Sequence, residues 1–481
     1  MKMRPGSPTG FLLCGKEWNE GEALEVRSPW DQSLVGTVTV PSRADARQAV
    51  QHAVASLRRT RGLPRWKRRD ILENVAAALI EQHERFAQLI VAEAGKPIRL
   101  ARAEVDRAIL TFKTAAEEAV RLGGESIPLD LTEGNENRWG LVQRFPVGPV
   151  LAITPFNFPL NLVAHKAAPA MAAGCPVIIK PAPQTPFTAL ALGEVILKAG
   201  WPEEALAVLP LSNADASWLV EKEDRIKLLS FTGSARVGWE LKVNSGRKRV
   251  LLELGGNAAL IVHNDWPDLD AAAAKTAHAA FGFAGQSCIS VQRVFVERRV
   301  FQSFLWKVVD VAAKMPSGNP ADESTEIGPM IRLSEAERVE SWVKEALESG
   351  AKLVTGGKRH GSVVEPTILS GTQSGMKVRD EEVFGPVLII EAFDDFEQAL
   401  ADVNHSKYGL QAGLLTRDAG RILTAYRELE VGALIVGDTP SWRLDPMPYG
   451  GVKESGLGRE GIRSAIQEMT EPRMLVMAGL S

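Results

Sequence analysis

The chain has 481 residues, more than one hydrophobic core usually serves, so two or three domains are expected. Charged residues make up 24% and apolar residues 45%, and the net charge of -3 excludes the basic footprint of a nucleic-acid-binding protein. Three widely spaced cysteines exclude a disulfide framework or cysteine zinc site, and the lack of a long apolar run excludes a membrane span. We therefore expect a cytoplasmic protein that binds no metal, nucleic acid or membrane.

The first predicted elements are helices. Between Arg43 and Leu122 the apolar residues recur every three or four positions, which is typical of helices that bury one face. Gly95 and Gly123 follow two of these runs and are favourable helix stops. We therefore predict a mostly helical segment over this range.

Strands and helices alternate from Pro146 onward. Short apolar runs bounded by glycine or proline predict strands, and the segments between them are long enough for helical crossovers between parallel strands. This alternation predicts an α/β protein with a doubly wound sheet, whose ligands bind at the carboxyl ends of the strands. The pattern begins again after Gly256 and continues to about residue 440, which indicates a second α/β unit. A last apolar strand, at 472–480, either completes a sheet of its own chain or adds to a neighbour's sheet.

Cys288 and Glu253 are the first candidates for chemistry. Cys288 lies in the stretch FAGQSC, where local sequence fits both a nucleophile and a buried core cysteine. Glu253 ends an apolar strand, where a carboxylate is costly unless it is ion-paired or serves in a cleft as a general base. One strand and one helix separate the two residues, and this spacing can bring both to one edge of a sheet.

Asn157 and Lys180 lie at two further predicted strand ends. Prolines hold Asn157 in a turn, where its amide either donates to a developing oxyanion or bonds its own backbone. Lys180 is either a cofactor clamp or a solvent-exposed side chain. The segment 233–238 opens a helix and offers backbone N–H groups to an anion, but it lacks the glycine spacing of a dinucleotide fingerprint. Together these residues indicate a nucleophile, a base, an oxyanion donor and a cofactor clamp.

Seven motifs, in order along nearly the whole chain, resemble those of the non-phosphorylating NAD(P)-dependent aldehyde dehydrogenase superfamily. They are PFNFP at 155–159, KPAPQTP at 180–186, FTGS at 231–234, LELGGN at 252–257, GQSC at 285–288, EEVFGPV at 381–387 and PYGGVKESGLGREG at 448–461. The resemblance implies a Rossmann-like nucleotide-binding domain, an α/β catalytic domain and a small bridging β element that makes a homodimer or homotetramer. The implied boundaries are 1–123 and 147–252 with 441–462 for the first, 253–440 for the second, and 124–146 with 463–481 for the third.

The resemblance also implies a mechanism. Cys288 would attack the aldehyde carbon, Asn157 would hold the resulting oxyanion, and NAD or NADP would accept the hydride. Glu253 would activate the water that hydrolyses the thioester to a carboxylic acid, and Glu460 resembles a second carboxylate that relays protons. The implied cofactor-binding residues are Thr154, Pro155, Phe156, Lys180, Pro183, Phe231, Thr232, Gly233, Ser234, Val237, Leu254, Gly255, Glu382 and Phe384.

The substrate is implied by fewer residues. Ser287 precedes the nucleophile where relatives that oxidise glyceraldehyde 3-phosphate often carry an arginine, so an anionic substrate needs another partner. Arg107 and Arg443 are candidates for that partner, and each fits a structural ion pair as well. His165 and Ile289 complete the residues expected near the substrate. The flanking sequences look most like members that act on lactaldehyde, phosphonoacetaldehyde and related short polar aldehydes.

Several alternatives stay open within the family. Glyceraldehyde 3-phosphate and succinate semialdehyde are alternative substrates. A CoA-acylating or non-catalytic relative is disfavoured, because the former usually lacks a glutamate at the Glu253 position and the latter does not need an intact Cys288. Ala182 and Pro183 replace the serine and glutamate with which many members select NAD, so NADP stays open as well.

Overall fold

The structure, a computed structural model, describes residues 8–479. The parts of the predicted nucleotide-binding domain and bridging element at 1–7 and 480–481 lie outside this range. The helices are α1 Arg43–Gly62, α2 Arg65–Glu81, α3 His83–Ala94, α4 Ile98–Arg121, α5 Asn161–Ala173, α6 Pro186–Lys198, α7 Asn213–Lys222, α8 Ala235–Asn244, α9 Leu269–Phe281, α10 Arg298–Lys314, α11 Leu333–Glu348, α12 Lys377–Asp380, α13 Phe396–Asn404, α14 Ala419–Glu428 and α15 Ile462–Glu468.

The strands alternate with these helices through most of the chain. They are β1 Phe11–Leu13, β2 Lys16–Trp18, β3 Glu22–Arg27, β4 Leu34–Val40, β5 Gly124–Pro128, β6 Arg138–Pro146, β7 Val150–Ile153, β8 Val177–Lys180, β9 Leu206–Val208, β10 Leu228–Thr232, β11 Arg249–Glu253, β12 Ala258–Val262, β13 Val291–Glu297, β14 Lys352–Thr355, β15 Arg359–His360, β16 Val363–Val364, β17 Thr367–Ser370, β18 Val387–Phe393, β19 Tyr408–Gly409, β20 Gln411–Leu415, β21 Ala433–Val436, β22 Val452–Lys453, β23 Gly456–Leu457 and β24 Thr470–Ala478.

The predicted helical segment is confirmed and consists of α1 to α4. A capping box starts α1, because the Ser42 hydroxyl accepts a hydrogen bond from the Asp45 N–H while the Asp45 carboxylate accepts one from the Ser42 N–H. Gly95 ends α3 at φ 65°, a left-handed conformation that glycine adopts without steric cost. The alanine-rich faces of these helices pack into the core that covers one side of the first sheet.

The first large sheet has the order β2-β1-β9-β8-β7-β10-β11-β23. Strands β7 to β11 run parallel, with Ile153 beside Lys180 and Thr232 beside Glu253. Their carboxyl ends therefore share one edge, as the sequence predicts. Residues of α5 are buried on all sides, and its sequence is apolar except for Asn161, His165 and Lys166. The antiparallel β1 and β2 were not predicted, since three residues are too few to establish a periodicity.

The second large sheet has the order β14-β17-β18-β13-β12-β20-β21 and is parallel except for β14. Separate apolar clusters cover its two faces, formed by helices such as α9 and α10 on one side and α13 and α14 on the other. The predicted α/β class with parallel sheets is thus confirmed. Among residues 8–479, no helix combines the length and apolar character that crossing a membrane requires.

The strand at the end of the described chain pairs within its own chain. β24 lies antiparallel to β6 over its full length, and β5 completes a three-stranded sheet. β24 forms one edge of this sheet, and three successive apolar side chains, Met474, Leu475 and Val476, are each about half exposed. A long, apolar and exposed edge strand is a surface that commonly pairs with another chain. Self-association through this element stays a prediction.

The substitution Leu475→Glu should reduce self-association, because a carboxylate on this edge would have to be desolvated at an interface. Light scattering after size-exclusion chromatography should give a smaller mass than for the wild type. Leu131→Glu is the matched control, since Leu131 is 78% exposed in the loop between β5 and β6. A wild-type protein that is already monomeric, or equal masses for wild type and Leu475→Glu, would contradict the expectation.

Candidate active site

A cavity of about 620 Å³ lies where the carboxyl ends of β10 and β11 face the second α/β unit. The predicted site residues in its wall are Arg107, Pro155, Phe156, Asn157, Thr232, Gly233, Ser234, Glu253, Leu254, Gly255, Ser287, Cys288, Ile289, Glu382, Phe384, Arg443 and Glu460. The predicted site residues outside this wall are Thr154, His165, Lys180, Pro183, Phe231 and Val237. The fold therefore brings together, in one cavity, the Cys288 thiol, the Asn157 amide, the carboxylates of Glu253 and Glu460, and the guanidinium groups of Arg107 and Arg443.

A strained turn presents Cys288. After α9 the chain passes through Phe283 and Ala284, both at φ 52°, and Gly285 at φ 67°. Left-handed conformations at two residues with side chains cost about 1 kcal/mol each and persist only where packing enforces them. A side chain at Gly285 would collide with the Gly385 carbonyl. This packing holds the turn so that Cys288 reaches the cavity.

The Cys288 thiol is half-buried and has Tyr449 as its neighbour. The tyrosine hydroxyl lies 3.1 Å from the sulfur, and the Tyr449 ring packs against Ile289. Burial raises the pKa of Cys288 to about 11, while the Tyr449 hydrogen bond and the charge of Arg443 act in the opposite direction. The thiol is therefore predominantly protonated at neutral pH in this structure.

Asn157 occupies the turn between β7 and α5, where the sequence predicts it. Its Nδ2 donates to the Gln286 carbonyl at 3.0 Å, and its Oδ1 is buried without a hydrogen-bond partner. The amide thus contacts the same turn that carries Cys288. The Gln286 side chain fixes that turn from the other side, because its Oε1 accepts from the Ile331 N–H at 2.8 Å.

Two buried carboxylates share the cavity, and their pKa values are shifted in opposite directions. Burial and the nearby Glu460 raise the pKa of Glu253 well above its usual range, and Glu253 Oε2 has no hydrogen-bond partner. Burial alone would raise the pKa of Glu460 as well, but Lys166, His165 and Arg443 together lower it to about 2. Lys166 Nζ donates to Glu460 at 2.9 Å. Glu253 therefore holds a proton more readily than an ordinary glutamate, beside Glu460, whose pKa is lowered.

The two candidate arginines differ in their partners. Arg107 is about one-third exposed and forms a two-point ion pair with Asp445 at 2.7 and 3.2 Å. Asp445 also contacts His165 Nε2 at 2.7 Å, so His165 supports this pair from behind the wall of the cavity. Arg443 is 6% exposed, and its Nε and Nη2 are buried without hydrogen-bond partners in the range 8–479. Its nearest carboxylate oxygen, on Glu460, is 3.6 Å away.

The expected cofactor residues form the other part of the wall. Gly233 and Ser234 lie at the start of α8, and Phe156 and Phe384 pack edge to face at 6.0 Å. Glu382 accepts a hydrogen bond from the Gly256 N–H at 3.0 Å, and burial raises its pKa to about 7.

Lys180 lies outside this wall, at the end of β8. Its Nζ donates to Asn213 Oδ1 at 2.8 Å. Burial lowers the pKa of Lys180 to about 8.

The sequence motifs missed some residues of the wall. Tyr449 lies in the PYGG motif, but the motif alone did not indicate a role for this side chain. In the structure its hydroxyl contacts the Cys288 sulfur. Trp342, Arg332 and Arg338 also line the cavity and come from a segment that carried no recognised motif. The sequence of α11 has amphipathic spacing, which predicts a helix with one buried face. That spacing does not indicate which end of the helix faces a ligand.

The aldehyde dehydrogenase family matches residues 17–475 of this sequence. The chain belongs to the aldehyde dehydrogenase family. A 3-sulfolactaldehyde dehydrogenase from Priestia aryabhattai is 46% identical over 97% of this chain and 98% of that protein. The family confirms the fold class and the enzyme class expected from the motifs.

Two solved structures of the family share the whole fold. The structure of aldehyde dehydrogenase 21 from Physcomitrella patens, in complex with the reaction product succinate, has a TM-score of 0.97 and 41% identity, covering 99% of each chain. A glyceraldehyde-3-phosphate dehydrogenase from Methanocaldococcus jannaschii, complexed with NADP, has a TM-score of 0.92 and 36% identity, covering 96% of this chain and 100% of that one.

The substitution Gly255→Ala should weaken binding of NADH and NADPH, because the new methyl group would collide with the Glu382 carboxylate and displace it. Fluorescence titration of the reduced cofactor should give a Kd raised by about tenfold, the loss of one hydrogen bond to a charged group. Gly282→Ala is the control, since no atom lies within 4 Å of a side chain added at Gly282. Equal affinities for the two variants would refute this role of the Gly255 contact.

Proposed function

We propose that this enzyme oxidises a short aldehyde with an anionic tail to the carboxylic acid, with NAD or NADP, through a covalent adduct of Cys288. The observation that carries the substrate class is the buried guanidinium of Arg443, which shares the cavity with Cys288 and has two nitrogens without hydrogen-bond partners among residues 8–479. Unsatisfied charged donors are costly, and a carboxylate, sulfonate or phosphate on the substrate would satisfy them.

The other groups of the wall support the same assignment. Ser287 is uncharged, and Arg107 already pairs with Asp445, whereas Arg443 is a buried cation of the same wall with two unused donors among residues 8–479. The relative that is named for 3-sulfolactaldehyde and the related structure that holds succinate both handle anionic molecules. These parallels favour a small anionic aldehyde over a neutral or long-chain one.

Cys288 would act as the nucleophile. Its thiolate attacks the aldehyde carbon, and the carbonyl oxygen becomes an oxyanion. Asn157 Nδ2, which here donates to the Gln286 carbonyl, is the side-chain donor available to that oxyanion. Such a donor is typically worth about 2.7–4 kcal/mol in acyl-transfer enzymes.

The residues of the wall fit a dinucleotide. The small residues Gly233 and Gly255 leave room for close approach, and Glu382 has a free oxygen beside its bond to Gly256. Glu382 would hold the nicotinamide ribose, and Phe384 would pack beside it. Lys180 would hydrogen-bond the hydroxyls of the other ribose. When bound, the cofactor supplies the hydride acceptor. Ala182 and Pro183 place no carboxylate next to Lys180, so both NAD and NADP fit.

Glu253 would be the general base of the second half-reaction. Its raised pKa makes its carboxylate a stronger base towards the water that hydrolyses the thioester. The ionised Glu460, paired with Lys166, favours the protonated form of Glu253. Hydrolysis then releases the carboxylic acid and regenerates the Cys288 thiol.

The substitution Glu253→Gln should separate the two half-reactions. One equivalent of reduced cofactor should form rapidly, and steady turnover should fall by about 100-fold or more, because hydrolysis loses its base. Stopped-flow absorbance of the reduced cofactor measures both phases. Cys288→Ser is the control and should abolish the burst as well. A Glu253→Gln variant with wild-type steady turnover would overturn the assignment of the base.

The substitution Arg443→Met should discriminate between substrates. With succinate semialdehyde or sulfolactaldehyde, kcat/KM should fall about 10- to 100-fold further than with neutral lactaldehyde, because only the anionic tails lose a charged hydrogen bond. Cofactor reduction with this panel measures the difference. Equal losses on neutral and anionic aldehydes would contradict the proposed substrate class, and a wild-type protein that is inactive on the whole panel would refute the function.

A further inference from the structure

Tyr449 contacts the proposed nucleophile but has no part in the steps described above. Its hydroxyl lies 3.1 Å from Cys288 Sγ and makes no other hydrogen bond to the described residues. The side chain is 3% exposed and packs in a small cluster with Ile289, Leu410 and Cys288. The hydroxyl therefore cannot turn to solvent, and packing aims it at the sulfur.

We infer that Tyr449 is a further catalytic residue, whose hydroxyl donates a hydrogen bond to the Cys288 sulfur and stabilises the thiolate that attacks the aldehyde. This inference rests on the proposed role of Cys288 as nucleophile. It assigns to the PYGG motif a contact with the reacting atom.

The direction of the hydrogen bond follows from the chemistry of the two groups. Burial raises the pKa of Tyr449 well above its ordinary value, so the phenol keeps its proton over the working pH range and remains a donor. A neutral thiol is a weak acceptor, whereas a thiolate accepts a short, charge-assisted bond. The contact therefore favours the ionised form of Cys288.

The charged groups around Cys288 determine how strongly its thiolate depends on the hydrogen bond from Tyr449. Glu253 and Glu382 disfavour a negative sulfur, and burial disfavours it most. Arg443 and the Tyr449 hydroxyl are the groups that favour it. Without Tyr449, the thiolate would depend on Arg443 alone, whose charge is shared with Glu460.

Arg443 also contacts Tyr449 directly. Its guanidinium carbon lies 3.6 Å from the centre of the phenol ring. A cation over the ring face is attracted to the aromatic quadrupole, and it withdraws electron density from the hydroxyl, which becomes a stronger donor. The arginine proposed to bind the anionic tail thus supports the donor that bonds the nucleophile.

The test is Tyr449→Phe, which keeps the ring and its contact with Arg443 and removes only the hydroxyl. Iodoacetamide would be reacted with the protein over a range of pH, and the adduct at Cys288 quantified by mass spectrometry. We expect the midpoint of alkylation to rise by about one pH unit, so that the rate at a pH below both midpoints falls about tenfold. Tyr408→Phe, in the same cavity wall without a bond to Cys288, should keep the wild-type midpoint.

Two results would overturn the inference. An unchanged midpoint would mean that the contact is only packing, and a lowered midpoint would mean that the thiol donates to the tyrosine oxygen. If Tyr449→Phe does not fold, as judged by thermal unfolding, Tyr449→Met removes the donor together with the ring that contacts Arg443 and must raise the midpoint by at least as much. If the wild type oxidises aldehydes but Tyr449→Phe shows no shift, the inference fails and the proposed function stands. If Tyr449→Phe shows the shift but the wild type oxidises no aldehyde, the proposed function fails and the hydrogen bond between Tyr449 and Cys288 stands.

Discussion

The site depends on the close approach of two backbone segments, one after β11 and one after α9. A side chain at Gly256 would collide with the Cys288 carbonyl oxygen, and one at Gly255 would collide with the Glu382 carboxylate. Both glycines belong to the loop that leads from the first sheet into the second. Because this loop has no side chains at these points, Glu253, Cys288 and Glu382 can share one cavity.

This proximity forces several ionisable groups into a small and poorly solvated volume. Burial would raise the pKa of every carboxylate there, and only those with a cation close by stay ionised. Glu460 has Lys166 at 2.9 Å and its pKa falls, whereas Glu253 and Glu382 have no ion-pair partner in the described part of the chain and their pKa values rise. The arrangement therefore assigns different protonation states to three similar side chains. Two glutamates of one cavity thus have pKa values shifted in opposite directions by their neighbours.

The sequence predicted the parts of this structure that depend on local pattern. Apolar runs ended by glycine or proline located β7, β8, β10 and β11, and the parallel register then placed the residues at their ends on one edge. Short antiparallel pieces such as β1 and β2 escaped, because they are stabilised by their neighbours in the sheet more than by their own spacing.

Contacts between side chains that are far apart in the sequence could not be predicted from local patterns. Asp445 meets both Arg107 and His165, and Tyr449 meets Cys288, across more than a hundred residues in each case. Nothing in the composition or spacing of either segment indicates these pairs. His165 was expected near the substrate, but the structure places it behind the wall, where it bonds Asp445. The family motifs identified which residues matter, while their partners followed only from the fold.

The difference between the two arginines shows how a substrate class follows from satisfied and unsatisfied donors. Arg107 has a complete ion pair at 2.7 and 3.2 Å, so an anionic ligand would have to compete with Asp445 for it. Arg443 is more deeply buried, yet its nearest carboxylate oxygen at 3.6 Å is too far for a good hydrogen bond. Desolvation of a cation is recovered only by partners at bonding distance, and the protein does not provide them in full. The anionic tail of the proposed substrate would provide them, and its attachment to a short aldehyde would place the carbonyl carbon beside Cys288.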